Sequence, residues 1–221
     1  MSKFSFYTAS FPYDFNTLVD FFEKKSTKKN EYITIIKKRT HYIELKYHQD
    51  QIVTEEYLDT NNKKNIIERL STKEIIFRIY NRERYNFLII NQPRGIINLK
   101  NFLSKLFLFE FFITKEFIDL NQLIEKESEQ IDYIFKVELR EALYPDNIFA
   151  KHTFYTQNKS VNVLGPFISL LKTNYYSIFK VELFFKNYVN IKFVIKNDAS
   201  FSSIGLSDDE AIKFIFSNLT I

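Results

Sequence analysis

The sequence predicts an α+β fold built from two tandem β-rich units, and three observations carry that expectation. Short stretches recur in order at a nearly constant interval. Tyr32-Ile33 returns as Tyr133-Ile134, Phe77-Arg78-Ile79 as Phe179-Lys180-Val181, and Phe87-Leu88-Ile89-Ile90-Asn91 as Phe193-Val194-Ile195-Lys196-Asn197, at shifts of 101, 102 and 106 residues. Many segments alternate apolar and polar residues, the period of a strand with one buried face. Between them lie stripes at helical spacing, such as Phe15, Leu18, Val19 and Phe22.

The first unit, residues 1–105, opens on a strand over Lys3 to Thr8, where Phe4 and Phe6 alternate with Ser5 and Tyr7. Asp14 is placed to cap a helix by accepting from its free amides. Lys24, Lys25, Lys28 and Lys29 close that helix and the loop after it, where cations complement the negative end of the helix dipole. Strands follow over 32–39, 41–47 and 52–58, the last two joined by a turn at His48-Gln49-Asp50-Gln51. Ile66, Ile67 and Leu70 fall on one side of a short helix over 62–70. A hairpin over 74–80 and 85–91 turns at Asn81-Arg82-Glu83-Arg84. Pro93 and Gly95 interrupt the chain, and Asn98 begins a helix bearing Leu99, Phe102, Leu103 and Leu106.

The second unit, residues 106–221, repeats the pattern. Phe107–Ile113 suits a strand or the tail of the preceding helix, between which periodicity alone does not choose. Thr114 caps a helix carrying Phe117, Ile118, Leu120, Leu123 and Ile124. Strands suit 132–139, 148–155 and 161–164. Gly165-Pro166 starts a short helix over 167–171. A hairpin spans 177–185 and 189–197. Ser207-Asp208-Asp209-Glu210 is an S-x-x-E capping box opening a terminal helix with Ile212, Ile215, Phe216 and Leu219. Each unit reads β-α-β-β-β-α-β-β-α. Without one of the three middle strands and the last strand and helix this is the ferredoxin-like order β-α-β-β-α-β, and the two copies are expected to be related by a pseudo-twofold axis.

That element order in a chain of this length resembles the RAMP-type proteins of CRISPR systems. The resemblance implies RNA binding, and in some members RNA cleavage. It lies in the order of elements and not in motif residues, since Ser202-Ser203-Ile204-Gly205 does not supply the glycine-rich loop those proteins carry near the C-terminus.

Composition narrows the chemistry. The chain has 25 Phe and 14 Tyr, so large rings supply ample core. With no cysteine there is no disulfide, thiolate metal site or thiol nucleophile. The N-terminus lacks the cationic and apolar segments of a leader, and the apolar run Leu103–Ile113 is too short to span a bilayer, so a cytoplasmic location and no membrane partner are expected. Gly95, Gly165 and Gly205, the three glycines, form no phosphate loop. His41, His48 and His152 show no zinc-binding spacing. Glu55 and Glu56 point to opposite faces of a strand, Glu125, Glu127 and Glu129 line a solvated helix face, and Asp208, Asp209 and Glu210 are explained by capping. No catalytic residue, metal ligand or cofactor is assigned, and a non-enzymatic role is favoured.

The expected function is that of a binding subunit of a larger assembly, working through sheet faces and exposed rings, with another protein or a second copy as partner. The alternative partner is RNA or single-stranded DNA. Residues 1–105 carry 19 Lys and Arg against 12 Asp and Glu, whereas residues 106–221 carry 12 against 15, which makes the first unit basic and the second mildly acidic. The candidate nucleic-acid residues are Lys37, Lys38 and Arg39, with Arg78, Tyr80, Arg82, Arg84 and Tyr85 on the hairpin, as phosphate contacts and stacking rings.

Overall fold

The computed structural model describes residues 2–24, 27–28, 30–58, 60, 63–84, 86–143, 148–156 and 176–218. It is a mixed α+β structure, mostly antiparallel sheet. The chain forms two compact units, Tyr7–Thr114 and Lys115–Ile221, the latter completed by Met1–Phe6. No helix is long and apolar enough to cross a membrane.

In the Tyr7–Thr114 unit, strand β1 (Lys3–Ser10) leads into helix α1 (Phe15–Lys24), followed by β2 (Thr27–Lys28), β3 (Glu31–Lys38), β4 (Tyr42–Leu58), β5 (Lys64–Tyr80), β6 (Phe87–Ile90), helix α2 (Ile97–Leu106) and β7 (Phe112–Lys115). The strands lie in the order β2-β3-β4-β5-β6-β1, and β7 also pairs with β1. Asp14 caps α1 as the sequence predicts, accepting from the Thr17 amide at 2.9 Å and the Thr17 hydroxyl at 3.0 Å. Helix α1 buries Leu18, Val19 and Phe22, and α2 buries Leu99, Phe102 and Leu103, against Ile33, Ile43, Leu45, Phe77, Ile79 and Phe87 of the sheet. Buried Asn86 serves as a side-chain peptide group. Its Nδ2 donates to the Ala9 carbonyl at 2.8 Å and its Oδ1 accepts from the Ala9 amide at 2.7 Å, so neither backbone group is orphaned.

Two expectations for this unit are corrected. Residues 64–70 are strand, not helix, and residues 48–51 are mid-strand, not a turn. The register runs unbroken from Tyr42↔Tyr80 to Leu58↔Lys64, making one hairpin of two 17-residue strands. The spacing of Ile66, Ile67 and Leu70 satisfies a helix locally, but pairing with β4 outweighs it, and β-branched Ile66, Ile67 and Thr72 suit a strand. The polar run at 48–51 holds as strand because its side chains pair across it. Thr72 Oγ1 donates to Asp50 at 2.6 Å, and Thr34 Oγ1 lies 3.0 Å from His48 Nε2. The predicted hairpin turn at 81–84 is present, between β5 and β6. Asn98 does not cap α2. The N-cap is Ile96, and the Asn98 amide instead donates to Gln49 at 2.7 Å.

The Lys115–Ile221 unit contains helix α3 (Leu120–Lys126), β8 (Ile131–Leu143), β9 (Ile148–Tyr155), β10 (Tyr176–Phe185), β11 (Lys192–Lys196), β12 (Ser200–Ile204) and helix α4 (Asp208–Asn218). Its strand order is β9-β8-β10-β11-β12-β1. Thr114 lies in β7, and the cap of α3 is Asp119, whose carboxylate accepts from the Asn121 and Gln122 amides. The expectation of strand or helix tail over 107–113 is corrected, since 107–109 are a turn and only Phe112 and Ile113 belong to a strand, β7. The capping box of α4 is present, since the Ser207 hydroxyl donates to Glu210 at 2.6 Å and the Glu210 amide donates back at 3.4 Å. Burial of Ala211, Ile212, Phe214 and Ile215 sets Phe214 against Phe185 and Phe193. Strand β12 is an addition to the sequence reading. Phe201 is its only large buried apolar residue, and pairing with β11 on one side and β1 on the other defines it. The expected strand at 161–164, the helix at 167–171 and Leu219 lie outside the described residues. The two units share alternating helix and antiparallel strand but differ in strand sequence, β3-β4-β5-β6 in one and β9-β8-β10-β11 in the other.

Candidate functional site

The β4–β5 hairpin divides into two halves. From Tyr42 to Gln49 strand β4 is flanked by β3 and β5, and its inward side chains Ile43, Leu45 and Tyr47 are fully buried. Beyond Asp50 the paired β4 and β5 extend past the end of β3, since the last β3 pair is Glu31↔Gln49. On the other side β6 pairs only with Ile76–Ile79 of β5. Among the described residues a two-stranded arm remains, 51–58 paired with 64–71, with no further strand along either edge.

The register assigns its side chains to faces. Cross-strand partners share a face, and faces alternate. The pairs Ile52↔Leu70, Thr54↔Glu68, Glu56↔Ile66 and Leu58↔Lys64 lie on one side. Ile52, Leu58, Ile66 and Leu70 are 69%, 63%, 63% and 71% exposed there. The other side carries Val53, Glu55, Tyr57, Ile67 and Arg69. Ion pairs Lys64–Glu56 and Arg69–Glu55, both 2.5 Å, cross the arm, but pairs this exposed contribute at most about 1 kcal/mol each. An isolated two-stranded hairpin is marginally stable in water, and here its apolar side chains are laid out toward solvent instead of toward a third layer.

A second apolar projection follows α2. Leu108 and Phe109 have φ of 52° and 69°, a conformation that large side chains rarely adopt, and are 82% and 70% exposed. Amide hydrogen bonds from Phe109 to Ser104 O and from Glu110 to Phe107 O hold this turn. Phe112, in the same unit, is also exposed.

The basic and aromatic residues singled out in the sequence have diverse placements. Arg78 is 6% exposed. Its Nε donates to Glu44 Oε2 at 2.5 Å and its guanidinium lies 4.8 Å from the Tyr42 ring centroid. Burial alone would lower its pKa, but Tyr80 and Glu44 outweigh that and raise it, so the guanidinium stays charged. Tyr80 is 7% exposed and packs 5.4 Å from Tyr42. Neither side chain presents a face to a base or phosphate, because both complete the sheet's interior. Lys38 pairs with Glu23 at 2.7 Å, and the Lys37 ammonium lies 5.9 Å from the Tyr42 ring. Arg39, Arg82 and Arg84 sit in the loops after β3 and β5, which the hydrogen bond from the Asn81 amide to His41 O joins. Tyr85 lies outside the described residues.

A denser electrostatic arrangement occupies the Lys115–Ile221 unit. Glu138 and Glu182, each 8% exposed, are surrounded by four lysines. Lys151, Lys136 and Lys180 stand 2.9, 3.0 and 3.4 Å from Glu138, and Lys180 and Lys192 stand 2.7 and 3.2 Å from Glu182. Burial alone would raise the Glu138 carboxyl, but hydrogen bonds from Lys151 and Lys136 and the field of Lys180 hold it down at about 2. Glu182 is lowered likewise, with Lys180 and Lys192 overcoming its burial. A carboxyl whose folded pKa lies below its unfolded one adds stability that is complete above the unfolded value and is lost as pH falls through the folded one. The resistance of this unit to chemical denaturation is therefore expected to fall progressively as pH drops from about 4.5 to about 2. Glu138→Gln should flatten that decline, and an unchanged profile would remove this assignment.

Histidines also pair locally. His48 stacks on Tyr32 with 4.4 Å between centroids and faces Glu74 at 3.2 Å, while His152 Nε2 lies 2.7 Å from buried Glu141. Among the described residues no group of three or more His, Asp or Glu is arranged to hold a metal ion. No protein-family model matches the chain, and no curated protein matches it.

Proposed function

We propose that this protein is a binding subunit of a larger protein assembly and that the 51–71 arm is its principal contact element. The observation carrying this reading is the exposure of Ile52, Leu58, Ile66 and Leu70 on one side of a hairpin that the described residues of its unit do not cover. Open strand edges and aligned aliphatic side chains are the features through which chains pair edge to edge or face to face. A second copy and a different protein both satisfy that chemistry. The exposed Leu108, Phe109 and Phe112 supply further apolar area on the same unit.

Replacing Ile52, Leu58, Ile66 and Leu70 together by threonine keeps β-propensity while removing the apolar surface. Exposed substitutions change stability by about 0.5 kcal/mol or less each, so the unit is expected to unfold at nearly the parent's denaturant concentration. Association, followed by sedimentation velocity for the chain alone and with its assembly, is expected to fall at least tenfold. Retained association would remove the arm from the interface, and collapse of the unit would show that the four residues serve its own core.

A further inference from the structure

The register of the Lys115–Ile221 unit maps a second surface. The rows Thr153–Glu138–Lys180–Lys196, Tyr155–Lys136–Glu182–Val194 and Tyr133–Phe184–Lys192 share one face of strands β9, β8, β10 and β11, and Lys151–Arg140 extends it. Helix α4 packs through Phe214 on the other face, against Phe185 and Phe193. The first face gathers six cations, Lys136, Arg140, Lys151, Lys180, Lys192 and Lys196, against the two carboxylates Glu138 and Glu182. The sequence assigns residues 106–221 an excess of acid, yet these four strands segregate the opposite charge, while Asp208, Asp209 and Glu210 lie at the start of α4.

The two glutamates hold lysine side chains across the sheet, so the positive surplus is fixed in place before any ligand arrives. Rings lie among the cations. Tyr133 and Phe184 are stacked 4.5 Å apart with 7° between planes, Tyr155 is 66% exposed beside Lys136, and the Lys192 ammonium lies 5.5 Å from the Phe135 ring. A cationic sheet with accessible rings matches a ligand that alternates negative charge with flat apolar faces. We infer that this face binds single-stranded nucleic acid, with the lysines on successive phosphates and Tyr155 and the Tyr133–Phe184 pair as stacking platforms. A duplex hides its base faces within the stack, and acidic peptides or anionic lipids leave the rings unused.

The test is fluorescence anisotropy of a labelled 20-nucleotide oligo(dT) with the full chain at 50 and 200 mM salt. Contact with about four phosphates gives a slope near −0.7 per phosphate in log affinity against log salt, a loss of roughly 50-fold between the two conditions. The combined variant Lys136→Gln, Lys192→Gln, Lys196→Gln is expected to bind at least tenfold more weakly with a slope shallower by about 2. Glu138→Gln is expected to bind more tightly, a change that a damaged fold does not produce. Tyr155→Ala should lose roughly 5- to 150-fold with the slope unchanged. Absence of binding at 50 mM salt overturns the inference. So does loss of binding in Arg39→Gln, Arg82→Gln, Arg84→Gln with none in the lysine variant, which places the contact on the other unit. Equal binding of heparin or phosphatidylserine vesicles, with no dependence on Tyr155, reduces the face to a general anion surface and overturns the single-strand assignment.

Discussion

Phe87→Ala is expected to destabilise the Tyr7–Thr114 unit by about 3–5 kcal/mol in equilibrium denaturation. Phe87 has no solvent exposure and sits where the unit's aromatic cluster converges. It stacks on Phe77 at 5.1 Å, meets Tyr7 edge-on at 6.4 Å, and lies 6.5 and 6.3 Å from Phe11 and Phe111. Truncation removes the ring's transfer energy and leaves a cavity among side chains contributed by β1, β5 and the segment after α2, which cannot all collapse inward. Phe87→Leu fills most of that space and should cost markedly less. A loss under about 1 kcal/mol for the alanine variant would mean that the cluster does not pack as described.

The Arg78–Glu44 pair gives the second large effect, with an informative asymmetry. Both side chains are largely shielded from water, so removing one partner strands a charge. Glu44→Ala is expected to cost about 3–5 kcal/mol. Exchanging both partners for apolar residues of similar volume, Glu44→Leu with Arg78→Met, should recover most of the loss, because desolvating the pair nearly offsets its attraction. If the double variant is no more stable than Glu44→Ala, Arg78 contributes through contacts other than Glu44, the Tyr42 ring and Tyr80 among them.

Local signals were legible where the chain itself decides the structure. Asp14 and Ser207–Glu210 cap their helices by contacts within three residues, and the stripe of α1 buries the side chains its spacing predicts. Signals failed where a distant partner decides. Ile66, Ile67 and Leu70 fit a helix by spacing alone, and only seventeen residues of register with β4 make them a strand. The same holds for β12, defined by its neighbours more than by its serines. Both candidate surfaces depend on that pairing. The sequence shows aliphatic residues near 52–58 and 66–70 but not that they share one uncovered face. Net charge by halves pointed away from the lysines of β8, β10 and β11, because charge per segment carries no information about which strands adjoin or which side faces out. Arg78 and Tyr80 are candidate nucleic-acid contacts in the sequence, yet both sides of β5 are buried at that level.

On the proposed function, the 51–71 arm is covered by another polypeptide in the working state. A photo-crosslinking amino acid at Leu70, in the full chain expressed in its source cell, tests this most directly, with the same probe at Lys213 on α4 as reference. A discrete adduct is expected at Leu70, with a second copy or another protein, that disappears when Ile52, Leu58 and Ile66 are threonine. A Leu70 probe that yields no more adduct than Lys213, or an adduct indifferent to those three substitutions, would contradict it.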